Sequence, residues 1–275
     1  MSITPIESTP GGPFTRDEFL HGRPEAMVQA NQLPKVLVVW PHSDETLAPE
    51  IAYHIQTEEP ELLAHVDYVC GNPRAASQDP PIRYVETDLN RSFKRKGPGE
   101  SKSYEDERGE LILDQTEAGG YEYVLDVHTS TVDVGRFFLA NHRNEAVDTI
   151  IAASPITRIV MMPDQIAQAG LIGQVPNSVS VEYDREVAAE VGVEESMTLI
   201  RGLIRRKSLV TPQDREFYYV TGAIPKTEDP GLDARNFELC KDGYYPVLFG
   251  ENSYRKDPTK TYLGFAATSR EIAVL

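Results

Sequence analysis

Lys35-Val36-Leu37-Val38-Val39-Trp40-Pro41-His42-Ser43-Asp44-Glu45-Thr46 is the stretch from which the fold is read. Its first six residues form an almost continuous apolar, β-branched run of strand length, the pattern of a strand covered on both faces in a largely parallel sheet. Thr46 stands as the cap of a helix predicted over 46–56, with Pro49 in the first turn, where a missing backbone donor costs little. Outward from there, strands are predicted over 66–70, 123–127, 136–140, 158–162 and 178–182, and helices over 104–115, 144–153 and 194–206, with 71–93 as a long irregular stretch. Strands and helices in that order specify a three-layer α/β sheet. After Lys207 the pattern changes to short β-like pieces, 216–221 and 245–249, set among turn-rich segments. The expected organisation is a proline- and glycine-punctuated N-terminal arm over 1–32 with one short helical stretch near 16–20, an α/β domain over 33–208, and a small β-rich C-terminal subdomain over 209–275.

Composition narrows the function classes. The chain has 275 residues, with 27 Lys and Arg against 43 Asp and Glu, a formal net charge of −16. Such a surface repels polyphosphate and anionic lipid, so neither nucleic acid nor membrane is an expected partner. No apolar run approaches the roughly 18 residues of a membrane span, and the first residues lack the basic-then-apolar order of a signal peptide. A soluble, cytoplasmic protein is expected. Two cysteines, Cys70 and Cys240, make no disulfide framework and no Cys-x-x-Cys pair, and are expected to be reduced and buried.

Two of the six histidines sit at strand exits, where ligands bind in open α/β sheets: His42 two residues after the first strand and His128 directly after Tyr123-Val124-Leu125-Asp126-Val127. His42-x-x-Glu45 at a strand-to-helix turn can aim an imidazole and a carboxylate at one zinc ion, and His128 would complete three ligands with a fourth position left for water. On its own the spacing more often marks a helix-capping pair and an ordinary strand-end histidine. Asp126, on the same strand face as His128, is a candidate to orient it, or a structural salt-bridge partner. Glu182 ends Ser178-Val179-Ser180-Val181-Glu182 on the polar face of a half-buried strand, placed to take a proton from water if it is not simply exposed. Arg83 and Arg91, in Arg83-Tyr84-Val85-Glu86-Thr87-Asp88-Leu89-Asn90-Arg91, suit an anionic substrate, or surface salt bridges.

His42-x-x-Glu45, Asn72-Pro73-Arg74-Ala75, Arg83-Tyr84 with Asp88-Leu89-Asn90-Arg91, Asp126-Val127-His128-Thr129, Val181-Glu182, and Tyr245-Pro246-Val247 with Glu251 to Tyr254 stand in the order found in the aspartoacylase and succinylglutamate desuccinylase family, which the chain resembles over about 35–256. The resemblance implies a three-layer α/β/α mixed sheet of the zinc carboxypeptidase (phosphorylase/hydrolase-like) type with the small β-rich C-terminal subdomain. It makes 33–208 a zinc hydrolase catalytic domain. It implies one Zn2+ per chain on His42, Glu45 and His128, with Glu182 as general base and later proton donor and Arg83 beside the scissile carbonyl. Asn90 and Arg91 would hold the substrate carboxylate and Tyr254 would close the pocket. The implied reaction is cleavage of the amide of a small N-acyl amino acid or similar carboxylate, in a chain compatible with homo-oligomer formation. A metallocarboxypeptidase acting on short peptides and a non-catalytic binding protein on the same fold are the rival readings.

This sequence departs from the family pattern in places. Pro41 precedes His42, and Ser43-Asp44 replaces the usual Gly-Asn, which sets an extra negative charge near the metal. Tyr183-Asp184 follows Glu182, where smaller residues are common, and implies a bulkier, more acidic rim. The stretch 165–181 carries no Arg or Lys, so the cation that grips an acidic substrate side chain in aspartoacylase is missing unless Arg158, Arg185 or Lys256 replaces it. The C-terminal part is also shorter, which implies a more open lid.

Overall fold

A computed structural model describes residues 36–206, 213–227 and 234–275. The arm expected over 1–32 and the boundary at 208/209 lie outside the described residues. Along the chain run β1 (Val36–Trp40), α1 (Leu47–Glu58), β2 (Val66–Cys70), α2 (Tyr104–Gly119), β3 (Tyr123–Ser130), β4 (Arg136–Ala140), α3 (Glu145–Ala152), β5 (Arg158–Met161), β6 (Ser178–Asp184), α4 (Val193–Ile204), β7 (Asp214–Pro225), β8 (Tyr245–Val247) and β9 (Tyr262–Val274), with short helical turns between. The strands form one mixed sheet in the order β2-β1-β3-β6-β4-β5-β7-β9-β8. The first four are parallel neighbours, β4 runs antiparallel to β6, and β7, β9 and β8 pair antiparallel beyond β5. The described β-rich residues from 213 onward thus extend this same sheet, through the parallel pairing of β5 with β7.

Burial follows the pleat. Val36, Val38 and Trp40 of β1 pack with Leu125 and Val127 of β3, Val179 and Val181 of β6, and the apolar stripes of α1, α3 and α4 in one cluster. Leu37 and Val39 face the other way, against Ile112 and Leu113 of α2. Both faces of β1 are therefore covered, as the continuous apolar run requires. The second face is not uniformly apolar. Over β2, β1 and β3 it carries the α2 cluster, and over β4, β5, β7 and β9 a second cluster holding Leu139, Val160, Val220 and Phe265. Between them lie His128 of β3 and Ser180 and Glu182 of β6, and this polar gap is where a cavity opens.

Several expectations are corrected in extent. Thr46 sits at the start of α1, but its hydroxyl makes no capping bond. β3 and β6 run on to Ser130 and Asp184, so His128 and Glu182 lie inside strands rather than at their ends. β6 is buried along its whole length instead of half-buried, because it stands fourth in a nine-stranded sheet covered on both faces. β9 gives no alternating signal, because its second half, 268–274, is mostly exposed on both faces and its strand form comes from pairing with β7. Cys70 and Cys240 are free thiols but half-buried. Among the described residues no helix is long and apolar enough to cross a membrane.

Candidate metal centre and active site

The turn after β1 delivers two side chains to one point. Trp40 Nε1 donates to the His42 carbonyl and Ser43 Oγ to the Asn72 carbonyl, which fixes the turn against the neighbouring loop. Glu45 is pinned from the other side, where the Thr129 amide donates to its Oε2 at 2.8 Å. His42 Nδ1 is then 2.9 Å from Glu45 Oε1 and 3.2 Å from Nδ1 of His128. All three residues are buried, and their ligand atoms lie within 4.8 Å of one another. The outer ring nitrogens meet carboxylates: His42 Nε2 is 2.9 Å from Asp88 Oδ1, and His128 Nε2 is 2.9 Å from Asp126 Oδ2.

The carboxylates at the outer nitrogens favour one tautomer. A carboxylate at Nε2 keeps the proton there and leaves the Nδ1 lone pair free to bind metal. Two Nδ1 lone pairs facing each other at 3.2 Å repel unless a cation or proton stands between them. Two imidazoles and one carboxylate form the donor set of an open zinc site, so His42, Glu45 and His128 fit a resident divalent ion. Asp126, a candidate for orienting His128 or for a structural salt bridge, stands 2.9 Å from that ring's Nε2 and accepts the Ser180 hydroxyl on the same oxygen. Asp88 was quoted in a motif but given no role, and its part is to orient His42. Asp88→Asn keeps the shape and removes the charge, and is expected to weaken metal binding about 10- to 100-fold in a competitive chelator titration. Unchanged affinity would remove that role.

The loop bearing Arg83 and Asp88 hangs on one buried carboxylate. Glu105, in the first turn of α2, accepts the backbone amides of Val85, Glu86 and Thr87 and the side-chain amide of Asn72. Asn72 also caps the short turn Pro73–Ala76. α2 can approach this loop because residue 109 is glycine: a Cβ there would come within 2.3 Å of the Ser92 carbonyl oxygen. Nothing in the local sequence distinguishes Glu105 from the surface acids around it.

Electrostatics follow from burial and these pairs. For His128, burial opposes charge, but Asp126 and Glu182 outweigh it and hold the imidazole well above its ordinary range. For His42, burial and Arg83 push down while Glu45 and Asp88 push up, and the balance is upward. Glu45 would be raised by burial, yet the two imidazoles draw it well below the usual carboxylate range. Glu182 goes the other way. It lies beside His128 in the parallel register of β3 and β6, and burial lifts its carboxyl to about 7.

The remaining expected residues converge on the same cavity. Arg83 Nη1 pairs with Glu45 at 2.9 Å and its Nε with Asp88 at 3.4 Å. Asn90, Arg91 and Tyr254 line the wall, with Arg91 donating to the Asn90 carbonyl and the Tyr262 hydroxyl. Tyr254 rides on the short turn Asn252–Arg255, whose cap Glu251 accepts from the Ser130 hydroxyl and from the amide and hydroxyl of Thr131. Glu251 thereby ties the Tyr254 turn to the end of β3. The acidic rim read from Tyr183-Asp184 is not found. Tyr183 points into the helix-side core, and Asp184 accepts the amides of Gly135 and Val187, so neither lines the cavity. Asp44 borders a separate cavity with Glu50 and Arg185, its carboxyl raised by burial and by Glu45.

Residues 36–171 match the family model of the succinylglutamate desuccinylase/aspartoacylase catalytic domain. That segment belongs to the family. Probable aspartoacylases of Prochlorococcus marinus are 33% and 35% identical over 75 residues, a match spanning 25% of this chain and only 24%, about a quarter, of those relatives' length. Murine aminoacylase 3 superposes with a TM-score of 0.65 at 16% identity, covering 90% of this chain and 98% of that one. Succinylglutamate desuccinylase from Chromobacterium violaceum gives 0.64 at 14% identity, covering 87% and 84%. These structural likenesses show that the family's mixed α/β fold extends past residue 171 through the C-terminal strands.

Proposed function

We propose that the chain is a zinc-dependent amidohydrolase that cleaves an N-acyl amino acid with water into a carboxylic acid and a free amino acid, using one zinc per chain on His42, Glu45 and His128. The observation carrying this reading is the meeting of two Nδ1 atoms and one Glu45 oxygen at a buried point, with each outer ring nitrogen on its own carboxylate. Zinc, when bound there, supplies a Lewis acid for a carbonyl and acidifies water at neutral pH. Glu182 accepts a proton from the attacking water and returns it to the departing nitrogen. Arg83 offsets the negative charge that develops on the carbonyl oxygen. Asn90 and Arg91 hold the substrate carboxylate, and Tyr254 closes over it. In support, among the described residues no carboxylate lies within salt-bridge distance of the Arg91 guanidinium, which leaves it open to one from a ligand.

Metal binding has a predicted pH dependence. Both histidines have raised pKa values in the metal-free protein, so protons compete with the ion up to higher pH than at an ordinary imidazole. Zinc affinity is expected to rise with pH through this range, by roughly tenfold per pH unit for each proton displaced. Calorimetric titration of chelated protein at several pH values, in buffers of different ionisation enthalpy, counts the protons released. A pH-independent affinity would mean that these imidazoles are not the ligands. For the reaction itself, zinc-loaded protein is to be assayed on N-acyl amino acids and on dipeptides. Turnover of N-acyl amino acids is expected, whereas turnover of dipeptides alone would replace the deacylase by a metallocarboxypeptidase.

A further inference from the structure

We propose that the cavity selects a substrate with a single carboxylate and an apolar group, and disfavours N-acyl amino acids bearing a second carboxylate. The inference rests on the amidohydrolase reading for its reaction, but its grounds are separate: the charge inventory and the wall of the cavity.

Two arginines, Arg83 and Arg91, are the cationic side chains lining the cavity among the described residues, apart from the histidines of the metal centre. Arg83 already pairs with Glu45 and Asp88, whereas Arg91 hydrogen-bonds a carbonyl and a hydroxyl and feels Asp88 only beyond salt-bridge distance. One guanidinium is therefore open to ligand charge, enough for one carboxylate. The replacements suggested by the sequence do not reach the cavity. Arg158 donates to the Val134 carbonyl and lies over the Phe237 ring, Arg185 borders the other cavity, and Lys256 does not line this one. Glu45, Glu182 and Glu251 already add acidic groups to the lining. A second substrate carboxylate would be desolvated among acids without a partner, a costly placement.

The sheet order decides what lies on the side away from the metal. β3 and β6 carry the polar end, and the floor then passes to β4, β5, β7 and β9. Leu139 of β4 stands opposite Ser180 in register, two residues from the Phe137–Glu182 pair. Met162 follows β5, and Ile166, Ile172, Leu248 and Phe265 complete a wall drawn from one apolar cluster. The cavity measures about 290 Å³, at the small end for ligand sites, so the apolar group is of leucine or phenylalanine size rather than a long chain.

The apolar group can be the acyl chain or the amino-acid side chain, and two homologous series separate these. Zinc-loaded protein is assayed on N-acylglycines from acetyl to hexanoyl, and on N-acetyl derivatives of alanine, leucine, norleucine and phenylalanine, against N-acetylaspartate and N-succinylglutamate. In one series kcat/KM is expected to climb about fourfold per methylene until the wall is filled. The best apolar substrate is expected to exceed both dicarboxylic ones by about a hundredfold. A flat response in both series, or preference for a dicarboxylic substrate, overturns the proposal. Binding of the same compounds to zinc-loaded Glu182→Gln, by calorimetry, reads the preference without turnover. Apolar preference in binding with no hydrolysis by wild-type protein would end the amidohydrolase reading and leave this one standing. Finally, Ile166→Arg, and Gln165→Arg at an exposed position on the same wall, supply the missing cation. At least one, with zinc content and folding intact, should raise N-acetylaspartate turnover relative to the apolar substrate by about tenfold or more. No shift in either counts against the charge argument.

Discussion

Replacing His128 by alanine is expected to reduce bound zinc from about one per chain to near none, and to lower deacylase activity on the order of a thousandfold or more. The site has three protein donors, and two of them do not close a tetrahedral zinc site. Losing the Lewis acid removes several kcal/mol of charge stabilisation from the reaction, which sets the thousandfold scale. A second consequence appears without metal. In the chelated protein Asp126 and Glu182 hold the His128 imidazole well above its ordinary range and so favour its charged form. His128→Ala therefore leaves Glu45, Asp126 and Glu182 buried together without that cation. The chelated variant should melt below chelated wild type, by about 3 kcal/mol of stability at neutral pH. The sign depends on pH: a raised histidine pKa stabilises where the group is charged, so the gap closes as pH climbs past the folded-state value. Metal analysis after chelation and reloading checks the first result and thermal unfolding the second. A variant that still holds one tightly bound zinc would show that His128 is not a ligand.

How much of this was legible in the sequence depends on whether the signal was local. β1, β2 and β4 are nearly fixed by their apolar runs, whereas residue type and position near strand exits only singled out His42, Glu45 and His128, which the fold brings together as candidate ligands. Glu182 was found for a reason only half right. Its alternation with Val179 and Val181 assigned it to a polar face, but sequence could not tell that this face borders a cavity and not solvent. That distinction comes from the order of non-adjacent strands, with β6 between β3 and β4. β9 was missed altogether, and the strand form of its exposed second half is imposed by pairing with β7. Asp88 and Glu105 were missed for a related reason. An acid that orients a histidine 46 residues away, or gathers three amides of a distant loop, has the same local sequence as an acid facing water. The apolar wall was equally hidden. Leu139, Met162, Leu248 and Phe265 read as ordinary core residues, and most of their surface is core; only the tertiary gap turns one edge of that core into a binding surface.

Glu182→Gln should retain zinc and fold normally while kcat falls between about a hundredfold and ten-thousandfold, the range expected when a positioned proton acceptor is lost. The substitution is isosteric, so the close packing of β6 between β3 and β4 is kept and the metal ligands are untouched. KM should change little, because the substrate carboxylate is assigned to Asn90 and Arg91. The pH profile separates loss of a base from loss of shape. Burial raises the Glu182 carboxyl to about 7 in the metal-free protein, and the positive charge of a bound ion lowers it from there. A base works only when ionised, so wild-type kcat/KM should rise with pH through that group's pKa, along an acid limb below pH 7. The residual activity of Glu182→Gln should lack that limb. Glu182→Asp, which keeps the charge one methylene short, should keep the limb at reduced rate. Wild-type turnover in Glu182→Gln, or an unchanged acid limb, would move the general-base role to another group. Together with His128→Ala, which loses activity by losing metal, this variant separates residues that hold the ion from the residue that moves the proton beside it.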